Sequence, residues 1–264
     1  MGPAADTSFV AETEAIFAAL AVPLATPPAE LPFIRQNHDA MEKMVACMAV
    51  EPTGNVDDDF VAMMAPHHQG AIDMAKAELR YGHNAQLRRI AQEIVVGQLQ
   101  EIAAMRVAVG EKVSPYEATL AASKPGKVTT EAYASPSDAG GASPSLAAEV
   151  PFLEENNVAM TRMMRAITIK PTGNIDHDFV AMMAPHHQGA IDMAKAELRY
   201  GHNAQLRWIA QEIIVDQTQE ITLMRLAAGE PLPPFASAPT NPPPASAFQA
   251  SPFMPVCGDC PSRE

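Results

Sequence analysis

A chain of 264 residues can hold one large domain or two modest ones, and a formal net charge of −13 with Lys and Arg scattered along it sets a nucleic-acid partner aside. Aromatics make up 5% of the residues while 16 Met join Ala, Val, Ile and Leu in the apolar content, so the chain suits helices rather than sheet. No run of about 18 apolar residues is present to span a bilayer, since Phe17–Leu24 is too short.

Residues 1–30 read as an N-terminal helix and a Pro-rich connector. Thr7 or Ser8 can cap a helix over Asp6–Ala21, Phe9, Thr13, Ile16, Phe17 and Leu20 make its apolar face, and Pro23, Pro27 and Pro28 end it. The opening residues lack a basic segment followed by a long apolar one. Either the chain is cytosolic, or it is a mature form from which an export signal has been removed.

Residues 31–111 form a first helical repeat. Its first helix runs from Leu31 to about Val50, with Phe33, Asn37, Met41, Met44 and Met48 on one face. Pro52-Thr-Gly54-Asn is a turn by composition, and Asp57, Asp58 and Asp59 suit the positive end of the next helix. That second helix stops at Tyr81-Gly82, with Gly82 in the left-handed terminating role. Asn84 caps a third helix to about Gly110, whose apolar face includes Leu87, Ile90, Ile94, Leu99, Ile102 and Met105. Residues 112–148 are a Ser/Pro/Gly/Ala-rich linker. Residues 149–229 replay the plan as Pro151–Lys170, Asp178–Tyr200 and Asn203–Gly229. The Pro-rich tail, 230–264, ends in Cys257-Gly-Asp-Cys260, which reads as a disulfide, a soft-metal clip or an idle thiol pair.

The second helix carries the strongest signal. Asp59–Leu79 recurs letter for letter at Asp178–Leu198, with a constant offset: 186 − 67 = 119 for the first histidine. At helical spacing Phe60, Met63, His67, Ala71, Met74 and Glu78 share a stripe, and Met64 and His68 lie on the next. Pro66 removes an N–H and crowds the carbonyl of Ala62, and Gly70 adds backbone entropy. Two readings follow: a helix bent at Pro66, or one that begins there with Asp59–Ala65 as a turn before it.

Thioether and neutral imidazole donors select Cu(I), Ag(I) or, with more His, Cu(II). Adjacent histidines point about 100° apart on a helix, so His67 and His68 do not chelate one ion alone. The spacing groups His67 with Met63 and Met74, and His68 with Met64, with Met41, Met44, Met48 and Met105 on packed neighbours completing the sets. A Met stripe on its own is ordinarily core. His83 and His202 read as capping or surface residues, and His38 and His177 as incidental. The carboxylates Asp73, Glu78, Glu93 and Glu101, with Asp192, Glu197, Glu212 and Glu220, read mostly as solvated faces, for example Glu93 beside Arg89. No Glu-x-x-His occurs, which demotes a di-iron enzyme, and no nucleophile elbow, phosphate loop or zinc-protease motif is present.

These residues resemble the family named domain of unknown function 305, with its Asp-Phe-x-x-x-Met-x-Pro-His-His-x-x-Ala-x-x-Met block at Asp59–Met74 and Asp178–Met193 and its downstream block at Leu87–Met105 and Leu206–Met224. The resemblance implies an all-α fold, a tandem repeat of ferritin-like antiparallel helical bundles. Similarity to the CopM-type members implies an exported, periplasmic protein that binds Cu(I) or Ag(I) for copper tolerance. Carried over by position, the ligands are Met63, Met64, His67, His68 and Met74 with Met182, Met183, His186, His187 and Met193. Met41, Met44, Met48 and Met105, with Met160, Met163, Met164 and Met224, form the next tier.

The expected function is therefore non-enzymatic binding of a soft ion, for buffering or for transfer to a partner protein. Two other classes remain in view: a helical module whose Met-rich faces grip partner helices, and a metal-dependent redox enzyme.

Overall fold

The computed structural model describes residues 26–49, 51–123 and 146–230. The helix expected over Asp6–Ala21 and the Cys257/Cys260 pair lie outside the described residues. Among them the chain is entirely helical, with seven helices and no strand: α1 (Leu31–Met48), α2 (Val56–Tyr81), α3 (Ala85–Ala108), α4 (Pro115–Ser123), α5 (Leu146–Ile167), α6 (Ile175–Tyr200) and α7 (Ala204–Ala227). No described helix is long and apolar enough to cross a membrane.

Local chemistry accounts for most boundaries. Pro32 sits in the first turn of α1, where its missing N–H leaves no bond unmade. The side chain of Asn55 caps α2 by accepting from the Asp57 N–H, and Asn84 caps α3 by accepting from those of Gln86 and Leu87. Asn174 and Asn203 do the same for α6 and α7.

Three sequence expectations need correction. α2 runs unbroken through Pro66, so the helix does not begin there, and the carbonyl of Ala62 has no N–H four residues on to bond. The 112–148 stretch contains α4, and α5 starts at Leu146 with Pro151 inside it rather than at its head. Gly82 is extended, at φ −69° and ψ 154°, not left-handed. Any residue can adopt that conformation; glycine leaves room for the buried Glu78 carboxylate, which a Cβ would displace, and Gly201 does the same for Glu197.

The two repeats belong to one compact unit. Within each, α1 packs on α2 and α2 on α3, with α5, α6 and α7 repeating the pattern; across the repeats α2 meets α6 and α3 meets α7. The cross-repeat hydrogen bonds among the described residues come in twins at the 119-residue offset. Asp57 accepts the backbone N–H groups of His202 and Asn203 (3.0 and 2.9 Å), and Asp176 accepts those of His83 and Asn84 (both 2.8 Å). Asn84 Nδ2 donates to the Ala227 carbonyl and Asn203 Nδ2 to that of Ala108, each at 2.9 Å. An acid from one half thus sits on the positive end of a helix in the other, whose cap in turn satisfies an orphan carbonyl.

The turn before each long helix is clamped the same way. Asp59 accepts from Thr53 N and Oγ1, both at 2.8 Å, while Gly54, at φ 85°, gives its N–H to Glu149 Oε2 of the other repeat at 2.8 Å. Only glycine holds that left-handed conformation without strain. Gly173, at φ 87°, donates to Glu30 Oε2 at 2.9 Å in the twin.

These contacts bury carboxyl groups beside one another. Burial, then the neighbouring Asp178, raises the pKa of Glu30 to about 7; burial, then Asp59, raises that of Glu149 to about 7. Burial and Asp176 raise Glu78 to about 8 against the opposing pull of Arg88, and burial and Asp57 raise Glu197 to about 10 against Arg207. The folded chain therefore holds protons that the unfolded chain has released, and stability falls as pH rises from about 4.5 through these values. Chemical denaturation at several pH values is expected to give a lower midpoint at pH 9 than at pH 6, and replacing Glu78 and Glu197 by Gln flattens that slope. Gly82→Ala, harmless by backbone conformation, is expected to lower stability by about 1–3 kcal/mol through overlap with Glu78.

Candidate metal centre

The stripe that carries Met63, His67 and Met74 faces inward, as do Met64 and His68 on the neighbouring stripe, because α2 is covered by α1, α3 and α6. All eighteen candidate side chains are buried: Met41, Met44, Met48, Met63, Met64, His67, His68, Met74 and Met105, with Met160, Met163, Met164, Met182, Met183, His186, His187, Met193 and Met224.

The repeats exchange donors. His67 Nε2 lies 3.2 Å from the sulfur of Met163, and His186 Nε2 lies 3.3 Å from that of Met44. The two rings meet between the repeats, 4.1 Å apart at their centroids and tilted by 50°. The grouping expected from spacing put Met63 and Met74 of its own helix beside His67, with Met41, Met44, Met48 and Met105 of packed neighbours completing the sets. Instead the sulfur on each imidazole comes from the first helix of the other repeat, a contact that no helical periodicity encodes. Met44 and Met163, second-tier candidates by sequence, are central.

Glycine makes this approach possible. A Cβ on Gly70 would lie 2.9 Å from Met44 Sδ, and one on Gly189 would lie 2.7 Å from Met163 Sδ. Each thioether is thus seated on a bare patch of α2 or α6 and aimed at the partner ring. The entropy penalty noted for Gly70 has its structural reason here.

His68, grouped with Met64 by spacing, has a carboxylate partner as well: its Nε2 lies 2.9 Å from Glu101 Oε2, and His187 Nε2 lies 2.8 Å from Glu220 Oε2. Glu101 and Glu220 are therefore partners of buried histidines rather than members of a solvated face, and Glu78 and Glu197 are fully buried as well. Glu93 does keep its exposed pair with Arg89, at 3.1 Å. An ionised carboxylate only accepts, so Nε2 is the donor of His68 and of His187 in these pairs.

The electrostatics favour neutral imidazoles at the centre. Burial, then the nearby His68 and His187, lowers the pKa of His67 well below 6.5; burial, then His67, His187 and His68, does so for His186. The Nδ1 atoms of all four histidines are buried without a hydrogen-bond partner. With the hydrogen on Nε2, the sulfur accepts weakly and an Nδ1 lone pair stays unmet. With the hydrogen on Nδ1, that N–H is unmet and two lone pairs face each other across the gap to sulfur. Either form leaves a buried polar atom unpaired, at a cost of about 1–3 kcal/mol. Two nitrogens and two sulfurs, uncharged and shielded from water, are the donor chemistry of a soft cation.

A family model described as a domain of unknown function (DUF305) matches residues 32–109 and 130–228. The chain belongs to this family. No curated protein and no solved structure matches it. Both DUF305 segments bring their Met-x-Pro-His-His block to the same point between the repeats. Glu101 and Glu220 lie in the downstream block of each segment, and their recurrence beside Ile102 and Ile221 is the signal that marks them in the sequence. A further group, His38, Asp39 and Glu42, has ligand atoms within 4.8 Å of one another on the outer face of α1, where the two acids are exposed.

A buried histidine with a lowered pKa subtracts stability as pH falls through about 6.5, where the unfolded chain takes up the proton and the folded one does not. The carbon-bound proton resonances of the His67 and His186 rings are accordingly expected to show no titration between about pH 8 and pH 5.5.

Proposed function

We propose that this protein binds a soft monovalent cation, Cu(I) with Ag(I) as its chemical analogue, at the point where His67, His186, Met44 and Met163 converge. The observation that carries the reading is the exchanged pair of contacts, 3.2 and 3.3 Å, between each imidazole nitrogen and a thioether of the other repeat. Thioethers keep their lone pairs free at every pH, and the depressed histidine pKa values keep nitrogen lone pairs free at neutral pH. Neutral donors in a buried site suit an ion of charge +1. A harder, divalent ion there would lose more hydration and gain less from sulfur. Cu(II) would be the weaker guest.

The role is holding or relaying the ion rather than turnover. Both central histidines are about 1% exposed, which favours retention over access by a substrate. A donor set without thiolate tolerates an oxidising compartment, which supports a place outside the cytoplasm, such as the periplasm, in copper tolerance and with hand-over to a partner protein. The reading in which Met-rich faces grip other helices meets a physical objection: those thioethers are inside the chain's own core.

Competition with bicinchoninate tests the proposal. The native chain is expected to withdraw Cu(I) from the chelator. Met44→Leu with Met163→Leu, which conserves volume and costs less than about 1.5 kcal/mol per site in stability, lowers Cu(I) affinity by about a hundredfold or more, equivalent to about 2.8 kcal/mol. With Cys47, Cys257 and Cys260 changed to Ser in the same chain, His67→Ala with His186→Ala abolishes binding. A native chain that leaves the chelator fully loaded overturns the reading.

A further inference from the structure

Beside the first repeat is a cavity of about 630 Å³, walled by α1, α2 and α3 and roofed by α4. We propose that it is the passage by which the soft ion reaches and leaves the buried centre, with two sulfur atoms, those of Cys47 and Met44, as successive stations. This rests on the Cu(I) reading of the centre given above.

Three observations converge on it. The inner wall of the cavity includes Met44 and Gly70, the thioether and the bare helix patch that seats it. Met44 is 2% exposed, and its sulfur lies 3.3 Å from His186 Nε2, so the cavity ends at a donor of the centre itself. Cys47 also lines the cavity; it is exposed and carries a free thiol. Cys47 and Met44 are three apart on α1, with Cβ atoms about 5–6 Å from each other along one face. A soft ion therefore meets a sulfur at the water side and a second sulfur one turn inward, which already belongs to the site.

The walls suit such a passage. Leu99, Ile102 and Leu120 line it with apolar surface while Asp73, Glu111 and Glu117 put carboxylates on its walls to attract a cation, and an ion moving from sulfur to sulfur keeps a ligand at each step. The step is ligand exchange without redox change. The Cys47 thiol gives its proton to water as the S–Cu bond forms, and takes one back when that bond breaks and the ion passes to the Met44 thioether. The roof is tied down, since Arg106 of α3 donates to Glu117 of α4 at 2.9 Å. The passage is one-sided: Ala166 stands at the position of Cys47 in the second repeat, so the matching face offers no thiol.

The experiment uses the full chain with Cys257→Ser and Cys260→Ser, so that Cys47 is the only thiol, and follows transfer of Cu(I) from its bicinchoninate complex by stopped flow. Cys47→Ser is expected to slow uptake about tenfold or more, equivalent to about 1.4 kcal/mol in barrier. Alkylating Cys47 with N-ethylmaleimide, which also fills the mouth, slows it further, while equilibrium affinity stays within about twofold in both cases. Unchanged uptake by the capped chain overturns the passage and leaves the central site standing. Affinity falling in step with rate overturns it too, because Cys47 would then be a resident ligand. Failure of the uncapped chain to take up Cu(I) at all overturns both readings.

Discussion

Each central imidazole leans on a sulfur that the other half of the chain supplies, so neither half completes the arrangement alone. A methionine reaches across only because the helix beneath it carries a glycine at the crossing point, and it arrives beside the ring only because a proline-interrupted helix continues unbroken to the histidine. Met44 on Gly70 against His186, and Met163 on Gly189 against His67, are two copies of one device. Proline and glycine inside α2 and α6, unfavourable for an isolated helix, belong to a packing problem whose solution lies outside that helix. Local cost accepted for a tertiary contact is a frequent mark of a functional region.

The surrounding interface is polar in an ordered way. Asp57 and Asp176 sit on the starts of the opposite third helices, and Glu30 and Glu149 clamp the opposite turns. Burying these acids next to Glu78, Glu197, Asp59 and Asp178 raises the pKa of one member of each couple, to about 7 for Glu30 and Glu149, about 8 for Glu78 and about 10 for Glu197. Carboxyl couples of this kind specify register: a slip of either repeat by one helical turn would strand a charge in the core. The same precision holds the two histidine rings beside each other. Proton-linked stability and the geometry of the centre are thus consequences of one set of contacts.

Reciprocity is not complete. The second-helix blocks are identical, whereas the first helices differ at Cys47 and Ala166 and at Val45 and Met164. Glu101 is almost fully enclosed while Glu220 keeps about a fifth of its side chain exposed. α4 covers the outer side of the first repeat beside the cavity that leads to Met44. Identical residues thus meet at the centre while the residues around it diverge.

Much was legible in the chain itself. Periodicity, the Asn caps and the Pro-Thr-Gly-Asn turns placed the six principal helices to within a few residues, except for the early start of α5, and the exact repeat singled out Met-Met-x-Pro-His-His as the chemistry-bearing block. Helical spacing describes one cylinder, however, and says which residues share a face without saying what lies opposite. Ranking Met44 and Met163 behind Met63, Met64 and Met74 was the natural result of that limit. So was reading Glu78 and Glu101 as solvated, since an acid on a stripe shows its burial only when a second helix covers it. α4 escaped notice because nine residues within a Ser/Pro-rich stretch carry too few turns to show a period. What the sequence alone determined was the donor inventory and the helices that carry it. The tertiary structure decided the pairing, because the partner of each imidazole is about a hundred residues or more away in the chain and is brought to it by the packing of one repeat on the other.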